Sequence, residues 1–192
     1  MIKPPTLAIP ITSTALIMPS HFADEPNWLV LFTRIKFEKR IAEELALKNI
    51  ECYVPMRTTF RKWSDRIKRV DVPLFNSYVF TRIRSRDKHN VLQVPGVIKL
   101  LSNGTQPAPV SQHEIDRIRL IESSRLLVEP ENFYVAGEKV CVVNGPFTGM
   151  EGLLLMRLGG ARLVIKIALL KQAISIQISE QDVRKVPAFS SF

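Results

Sequence analysis

Residues 135–152 read VAGEKVCVVNGPFTGMEG, and this stretch decides the fold of the C-terminal part of the chain. Its first half, Lys139–Val143, alternates polar and apolar residues, which predicts a strand with one buried face. The run Asn144-Gly145-Pro146 follows, and Asn-Gly is a strong signal for a tight turn between strands. Gly149 and Gly152 then fit positions where φ is positive or where two backbones approach closely.

Short β-type runs follow this turn, at Leu153–Met156 and Arg162–Ile167, and Gly159-Gly160 separates them. Four or five such strands in about fifty residues bury one face each by curling into a small barrel. The sequence therefore predicts a small β-barrel over residues 135–186, followed by a loose tail over 187–192.

The same residues resemble the KOW motif, a module shared by transcription elongation factors of the NusG type and several ribosomal proteins. The resemblance rests on Gly137–Val140, Val143–Gly149 and Glu151-Gly152. Alone, it implies contact with the transcription or translation machinery. A hairpin in an unrelated small barrel is the other interpretation.

Composition and charge describe a globular, basic protein. The chain has 192 residues, 46 % hydrophobic and 23 % charged, and a formal net charge of +9. Residues 27–122 hold 18 Lys/Arg against 10 Asp/Glu, whereas residues 135–192 hold 7 against 4. The excess in the first region favours an anionic partner such as nucleic acid, and a merely solvated surface is the plainer alternative.

The reactive residue types indicate neither a metal site nor an enzyme. Cys52 and Cys141 form no C-x-x-C pair, and three histidines (His21, His89 and His113) are isolated from them, so we expect reduced thiols in a cytoplasmic protein. The sequence contains no Gly-rich phosphate loop, no HExxH and no evident pair of catalytic carboxylates, which predicts no catalysis and no cofactor.

The N-terminus is predicted to be a flexible extension over residues 1–26. Residues 7–18 are mostly apolar, but Pro10 and three hydroxyl residues interrupt them, so a signal peptide is the less favoured interpretation. No run reaches the roughly 20 apolar residues that span a bilayer, and no membrane partner is expected.

The region 27–122 reads as an α/β sandwich, with helices packed on a mostly antiparallel sheet. Ser111 and Glu114 form a capping box, and Ile115, Ile118 and Ile121 give the helix that follows a buried stripe. Residues 123–134 lack periodicity and are predicted to be a linker. The predicted elements are strands at 27–33, 51–57, within 70–83 and at 97–101, and helices at 37–49, at 87–94 and from Ser111.

This region resembles the NGN domain that precedes KOW in NusG-type factors. The matching pieces are Trp28–Phe32, the Glu38–Leu45 helix, Tyr53–Pro55 and above all Pro73–Phe80. Most family members have Pro-Gly where this chain has Asn76-Ser77, and Asn tolerates left-handed geometry. With both motifs in the family's order, the resemblance implies an α+β protein, an NGN-like α/β sandwich followed by a small SH3-like KOW barrel.

The resemblance implies that the first domain binds the clamp helices of the largest subunit of RNA polymerase. About half of the matching residues are expected to be core, because alternation lets only one of each neighbouring pair face outward. Tyr78 is the best candidate for exposure, since its hydroxyl tolerates water. The matching positions are Phe32, Leu74, Phe75, Tyr78 and Phe80.

The family also implies contact of this domain with non-template DNA, or with nascent RNA. Six cations are candidates for phosphate contacts, and they are Arg34, Lys36, Arg40, Arg57, Arg61 and Lys62. Trp63, within a basic segment expected to be a loop or an extended hairpin arm, is either a platform for stacked bases or a hydrophobic clasp.

For the barrel, the family implies a protein partner, ribosomal protein S10 or the termination factor Rho. The aligned positions are Phe147, which is expected to be core, and Leu169-Leu170, where a hairpin turn is expected to expose at least one leucine. The basic arm and the N-terminal extension resemble the specialised UpxY or RfaH type, which serves polysaccharide operons. A monomeric antitermination factor is therefore the leading hypothesis, and an RNA-binding or ribosome-associated KOW protein is the alternative.

Overall fold

A computed structural model describes residues 25–124 and 126–186. The expected tail 187–192 and all but the last two residues of the expected extension 1–26 lie outside these ranges. The first half of the described chain contains β1 (Asn27–Thr33), α1 (Glu38–Leu47), β2 (Glu51–Tyr53), β3 (Met56–Lys62), β4 (Ile67–Pro73), β5 (Tyr78–Ile83), α2 (Lys88–Leu92), β6 (Val97–Leu100), β7 (Ser102–Asn103), β8 (Gln106–Pro107) and α3 (Gln112–Ser123). The second half contains β9 (Glu129–Glu131), β10 (Glu138–Val142), β11 (Glu151–Arg157), β12 (Gly160–Ile167), β13 (Gln172–Gln177) and β14 (Val183–Lys185).

A four-stranded sheet in the order β2-β5-β1-β6 forms the centre of the N-terminal domain. All three pairings are antiparallel, and β1 and β5 pair with Val30 opposite Phe80 and Leu31 opposite Val79. Helices pack on this sheet, so the predicted α/β sandwich is confirmed. The strands β3 and β4 pair only with each other and form the hairpin arm that the basic segment indicated.

The two faces of this sheet belong to two different hydrophobic clusters. On the back face, Leu31 and Val79 pack with Ile41 and Leu45 of α1 and with Val91 of α2. These five side chains are wholly buried, because the apolar positions of β1 and the i, i+4 spacing in α1 both point to the same layer.

On the front face, Trp28, Val30 and Phe80 pack with the isoleucine stripe of α3. The predicted cap of α3 is confirmed, since Ser111 accepts a hydrogen bond from the backbone amide of Glu114 at 3.2 Å. Beyond this helix, the apolar cluster of the front face continues into the C-terminal domain without a break.

The C-terminal domain is a six-stranded antiparallel sheet in the order β14-β10-β11-β12-β13-β9. The chain turns after β10 where predicted, but through residues 143–150 rather than through a tight two-residue turn, and Gly145 and Gly149 both have φ of 84°. Gly152 has a different requirement: a Cβ atom there would lie 2.6 Å from the Val164 carbonyl oxygen of the neighbouring strand. The antiparallel strands, together with the close approach of β11 to β12 at Gly152, form the barrel-type domain that the KOW-like pattern indicated.

The second sheet begins within the stretch that the sequence suggested as a linker. Glu129–Glu131 forms β9, which pairs with β13 and places Pro130 opposite Ile174. Proline is tolerated there because β9 is an edge strand with a neighbour on one side only. The connection between the domains is therefore shorter than residues 123–134. No helix among the described residues is long and apolar enough to cross a membrane.

Candidate functional site

The aromatic residues proposed for polymerase contact divide into a half-exposed pair and a buried set. Phe32 and Tyr78 are half-buried neighbours on the front face, with ring centroids 5.5 Å apart. Leu74, Phe75 and Phe80 are 4 %, 1 % and 0 % exposed and belong to the core. These three side chains therefore offer no surface to a partner in this arrangement, in keeping with the expectation that about half of the set is core.

Tyr78 also touches the C-terminal domain. Its hydroxyl donates a hydrogen bond to the Leu170 carbonyl oxygen at 3.5 Å, and burial raises the pKa of this phenol. Leu170 is itself 3 % exposed in a short 3-10 turn, Leu169 packs against the common cluster, and Phe147 is 4 % exposed. Of this pair, at least one of which was expected to be exposed, Leu170 is buried in the barrel core and Leu169 is half-buried, and Phe147 lies in the core.

A second hydrogen bond joins the domains. Arg117 of α3 donates from Nη2 to the Glu151 carbonyl oxygen of β11 at 2.9 Å. The Nε of the same guanidinium is buried and has no hydrogen-bond partner among the described residues. The two domains are therefore joined by a continuous apolar cluster and by two hydrogen bonds to backbone carbonyls.

The turn before β5 explains how Tyr78 is held in place. Ser77 adopts φ of 67°, and its backbone amide donates to the Glu38 carboxylate at 2.6 Å. Glu38 is 3 % exposed at the start of α1, so the carboxylate ties the helix to the turn. The left-handed residue is the serine and not Asn76, in contrast to the sequence-based expectation, and Ser77 takes the position at which glycine would be unstrained.

The basic arm has two chemically different faces. In the register of β3 and β4, Arg61 lies opposite Lys68, and Trp63 follows on the same face. Trp63 and Arg66 close the tip through a backbone hydrogen bond of 2.7 Å. Trp63 is 55 % exposed and the Lys68 ammonium lies 5.9 Å from its ring centroid, so the indole is not a clasp buried against the domain. We call this surface the Trp63 face.

A basic cleft of about 400 Å³ lies between the Trp63 face of the arm and the loop after β1. It brings Lys36, at φ of 67°, together with Arg61, two of the predicted phosphate-binding residues. Lys39 lines the same cleft and was missed, although its position in the first turn of α1, three residues after Lys36, was a signal for it. Exposed Ile35 adds an apolar contact there.

The remaining predicted cations are less uniform in setting. Arg34 and Lys62 are exposed. Arg40 pairs with Glu44 at 3.3 Å and lies over the Phe37 ring, so its guanidinium already has two contacts at α1. Arg57 is half-buried at the base of the arm, where burial lowers its pKa. The cleft therefore unites Lys36 and Arg61, while Arg40 and Arg57 stand apart from it.

Comparison with known proteins agrees with this geometry. Residues 26–119 match the family model described as NusG, transcription termination factor nusG. A transcription termination/antitermination protein NusG of Rickettsia bellii is 27 % identical over 182 residues, covering 88 % of this chain and 95 % of the relative. The NusG of Pasteurella multocida is 28 % identical over 174 residues, covering 83 % and 94 %.

Among solved structures, one described as domain interaction in Thermotoga maritima NusG matches with a TM-score of 0.57 at 19 % identity. The match covers 84 % of this chain and 98 % of that one. At this identity the likeness concerns the fold.

The chain has an antiparallel α/β domain with a basic arm, followed by a barrel-type sheet domain. Together with the family model and the NusG relatives, this two-domain α+β architecture places it among transcription factors rather than enzymes. Within that class, residues 26–119 match the NusG family model, and the chain is similar to curated NusG proteins over most of its length.

Proposed function

We propose that this protein is a transcription elongation and antitermination factor that rides on RNA polymerase through its N-terminal domain. The observation that carries the proposal is the Phe32–Tyr78 pair, two adjoining aromatic rings on the edge of the front face that the domain's own helices leave half open. Rigid aromatic side chains give a large contact area at a small cost in rotamer entropy. The clamp helices of the largest polymerase subunit are the proposed partner.

The proposal extends to nucleic acid on the Trp63 face. Lys36, Lys39 and Arg61 line one cleft, and Trp63 adds a flat, exposed ring on the arm above it. Long cations suit phosphates, and an exposed indole suits unstacked bases. Exposed non-template DNA, or nascent RNA, is the proposed ligand, and cytoplasmic transcription is the proposed setting.

For the barrel we propose a recruiting role, with ribosomal protein S10 or Rho as partner and a polysaccharide-type operon as target. The apolar Leu169–Leu170 turn supports a protein partner for the barrel. The long basic arm supports the specialised type that serves a polysaccharide operon. Since Leu170 is buried and its carbonyl accepts from Tyr78, a partner of this turn has to displace that contact. Tyr78 is thus shared between the proposed polymerase surface and the barrel.

The first experiment is co-purification of the full chain with RNA polymerase from native cells. Phe32→Ala and Tyr78→Ala are expected to lower polymerase recovery at least tenfold while circular dichroism stays unchanged. Leu158→Ala is the matched control, because Leu158 is a fully exposed apolar residue on the barrel. Wild-type recovery of both folded variants overturns the patch, and recovery of ribosomes without polymerase favours the ribosome-associated alternative.

The nucleic-acid contact is tested by a filter-binding salt titration with single-stranded DNA. Because each phosphate contact releases counterions, the double variant Lys36→Ala/Arg61→Ala is expected to reduce the slope of log K against log salt by about one to two units. Lys99→Ala, an exposed cation on β6, is the control. Binding by the wild type that does not change with salt overturns this part.

A further inference from the structure

A cleft of about 340 Å³ lies where α3 meets the barrel. It is next to the hydrogen bond that Arg117 donates to the Glu151 carbonyl oxygen at 2.9 Å. Arg117 lines the cleft from the side of α3, and Lys139 and Lys166 line it from the side of the barrel. Both domains therefore supply cations to one space, which we call the interdomain cleft.

The register of the barrel strands explains why the two lysines meet there. Lys139 of β10 lies opposite Leu153 of β11, and Leu153 lies opposite Val164 of β12. Paired residues share a face of the sheet, and so do residues two positions apart on one strand. Lys166, two residues after Val164, and Glu151, two residues before Leu153, are therefore on the same face as Lys139. Strand pairing thus places two lysines beside one carboxylate.

The interdomain cleft carries more positive than negative charge. Three cations and the carboxylate of Glu151 line it, which gives a net charge of +2. Lys139 pairs with this carboxylate at 3.0 Å. Arg117 and Lys166 form no ion pair with any carboxylate in the described ranges and make hydrogen bonds to backbone carbonyls instead. The charges of these two side chains are therefore not compensated within the cleft.

The other carboxylates on the neighbouring elements are engaged away from the cleft. Asp116 of α3 pairs with Arg119 at 3.8 Å. Glu114 accepts a hydrogen bond from a hydroxyl in the cap of α3 at 3.5 Å. On β10, Glu138 pairs with Lys185 at 2.7 Å, and its side chain points to the opposite face from its neighbour in the strand. These contacts leave the positive charge of the cleft as it is.

Neutral acceptors hold the two uncompensated cations in place. The Glu151 carbonyl anchors Arg117, and the ammonium of Lys166 donates to the Val135 carbonyl oxygen at 3.1 Å and lies 5.6 Å from the centroid of the Phe133 ring. A carbonyl positions a cation without cancelling its unit charge. An incoming anion therefore meets a positioned guanidinium and a positioned ammonium, and it does not have to break an ion pair of either group.

The charge and the lining together favour a phosphate group. A phosphate that is free or esterified once carries nearly two negative charges at pH 7, since its second pKa is about 6, and so it matches both cations. Guanidinium groups bind phosphate through two parallel hydrogen bonds, and ammonium groups bind it as point charges. The aliphatic side chains of Leu153 and Ile165 also line the cleft and offer no flat ring on which a base can stack, which disfavours a nucleic-acid strand.

We propose that the interdomain cleft binds a phosphate-type dianion, either inorganic phosphate or the phosphate monoester of a nucleotide, and that this anion bridges the two domains. Arg117 contacts it from the N-terminal domain, and Lys166 contacts it from the barrel. Because the site is complete only while the domains are joined, the bound anion stabilises the joined arrangement. Binding requires neither polymerase nor DNA, so this site goes beyond the proposed function.

The test is isothermal titration calorimetry of the full chain with potassium phosphate, at an ionic strength kept constant with potassium chloride. Saturable binding of one anion per chain is expected. Arg117→Gln and Lys166→Gln are each expected to weaken binding about tenfold, the loss expected for one charge-assisted hydrogen bond, while circular dichroism stays unchanged. Lys166→Arg keeps the charge and is expected to bind within about threefold of the wild type.

The matched control is Arg184→Gln, which removes an exposed cation from β14, the strand that pairs with β10. Arg184 does not line the interdomain cleft, so this variant is expected to bind phosphate within twofold of the wild type. Equal weakening by Arg184→Gln and Lys166→Gln would show a general response of a basic surface and would overturn the assignment to the cleft.

A second titration distinguishes the two sources of the phosphate group. Adenosine 5′-monophosphate carries the dianion, and adenosine lacks it. Tighter binding of the monophosphate than of inorganic phosphate would identify a nucleotide as the ligand, and equal binding would identify the phosphate group alone; both results support the site. Adenosine that binds as tightly as its monophosphate would contradict it.

Two further results would overturn the inference. One is the absence of saturable binding beyond that of chloride at the same ionic strength. The other is a loss of affinity in only one of Arg117→Gln and Lys166→Gln, because a bridging anion needs a cation from each domain. Each of these results leaves co-purification with polymerase untouched, so the proposed function is tested separately.

Discussion

The two faces of the four-stranded sheet are built from equally apolar strands but are closed in different ways. The back face is covered by α1 and α2, which lie before and after β5 in the chain and belong to the same domain. The front face is covered partly by α3 and partly by the barrel, whose strands start at Glu129. One core is thus completed locally, and the other only by a distant part of the chain.

The difference shows that domain limits and core limits need not coincide. A cut between α3 and β9 would leave the back-face cluster intact, but it would divide the front-face cluster, which includes both Val30 and Ile165. Exposing that shared apolar surface has a cost of about 25 cal/mol for each Å². The barrel therefore contributes to the stability of a domain that already has a complete core on its other side.

The largest expected effect comes from cavities on the two faces. Leu31→Ala on the back face and Ile118→Ala in α3 each remove a buried side chain, so each is expected to lower the free energy of unfolding by roughly 2–5 kcal/mol in urea titrations. Both variants are expected to speed amide hydrogen exchange in the four-stranded sheet. Only Ile118→Ala is expected to speed exchange in β12 and β13 of the barrel as well. Equal acceleration of barrel exchange by Leu31→Ala would contradict the distinction between the faces.

The next effect is alkaline destabilisation through Tyr53, which ties the front face to α3. Burial, together with the hydrogen bond to Glu122 and its charge, raises the pKa of this phenol far above its ordinary range. The unfolded tyrosine ionises near pH 10 while the folded one stays protonated, so the contribution of Tyr53 is complete below about pH 10 and declines as the pH rises further. In urea titrations between pH 8 and 11, the free energy of unfolding is expected to fall less steeply with pH for Tyr53→Phe than for the wild type. The difference in slope corresponds to about one proton released on unfolding. An unchanged pH dependence would show that this phenol ionises equally in both states.

A smaller effect is expected at the contact between the domains. Arg117→Ala removes the hydrogen bond to the Glu151 carbonyl, which is worth about 1 kcal/mol for a partly exposed group, and shifts the balance toward separated domains about fivefold. NMR relaxation reports this as faster, independent tumbling of the barrel. Arg66→Ala, at the exposed tip of the arm, is the control and is expected to leave tumbling unchanged. If both variants behave alike, the Arg117 contact does not hold the domains together.

The smallest expected effect is a gain in stability at the turn before β5. Ser77→Gly relieves the left-handed conformation at φ of 67° and keeps the backbone amide that donates to Glu38, so we expect stabilisation by about 0.5–1 kcal/mol. Chemical denaturation of the two proteins measures it. Asn76→Gly, one residue earlier, is the matched control and is expected to give no gain, since Asn76 does not adopt positive φ. A gain at Asn76 but not at Ser77 would mean that the strained position is misassigned.

Much of the back face could be predicted from the sequence because its signals are local. The nearly continuous apolar run of β1 and the i, i+4 spacing of Ile41 and Leu45 each lie within one element, as does the Ser111 cap of α3 on the front face. A basic segment outside the core was also predictable, because six cations stand close together there among few apolar residues. The sequence left open whether this segment is a loop or a hairpin arm. Local patterns decide such elements before any tertiary contact is made.

The front face and the contact between the two domains were less predictable because they depend on long-range contacts. The strand β9 carries Pro130 between two glutamates and shows no alternation; only its pairing with β13 makes it a strand. The Leu169–Leu170 turn was expected to expose at least one leucine, and only the structure shows that Leu170 is the buried member of the pair, directly before Lys171 at φ of 50°. The basic cleft could not be located without the arm's register, which decides which cations share a face.

The front-face cluster also has a consequence during synthesis of the chain. The N-terminal sheet and α3 are complete at Ser123, but the strands from Glu129 to Lys185 that finish covering the front face are made afterwards. At about 5–20 residues per second, that remainder takes on the order of 3 to 11 s. For this interval an already folded domain displays apolar surface that is later hidden, so a chaperone, or a protein that recognises Phe32 and Tyr78, meets that surface most openly while the chain is still being translated.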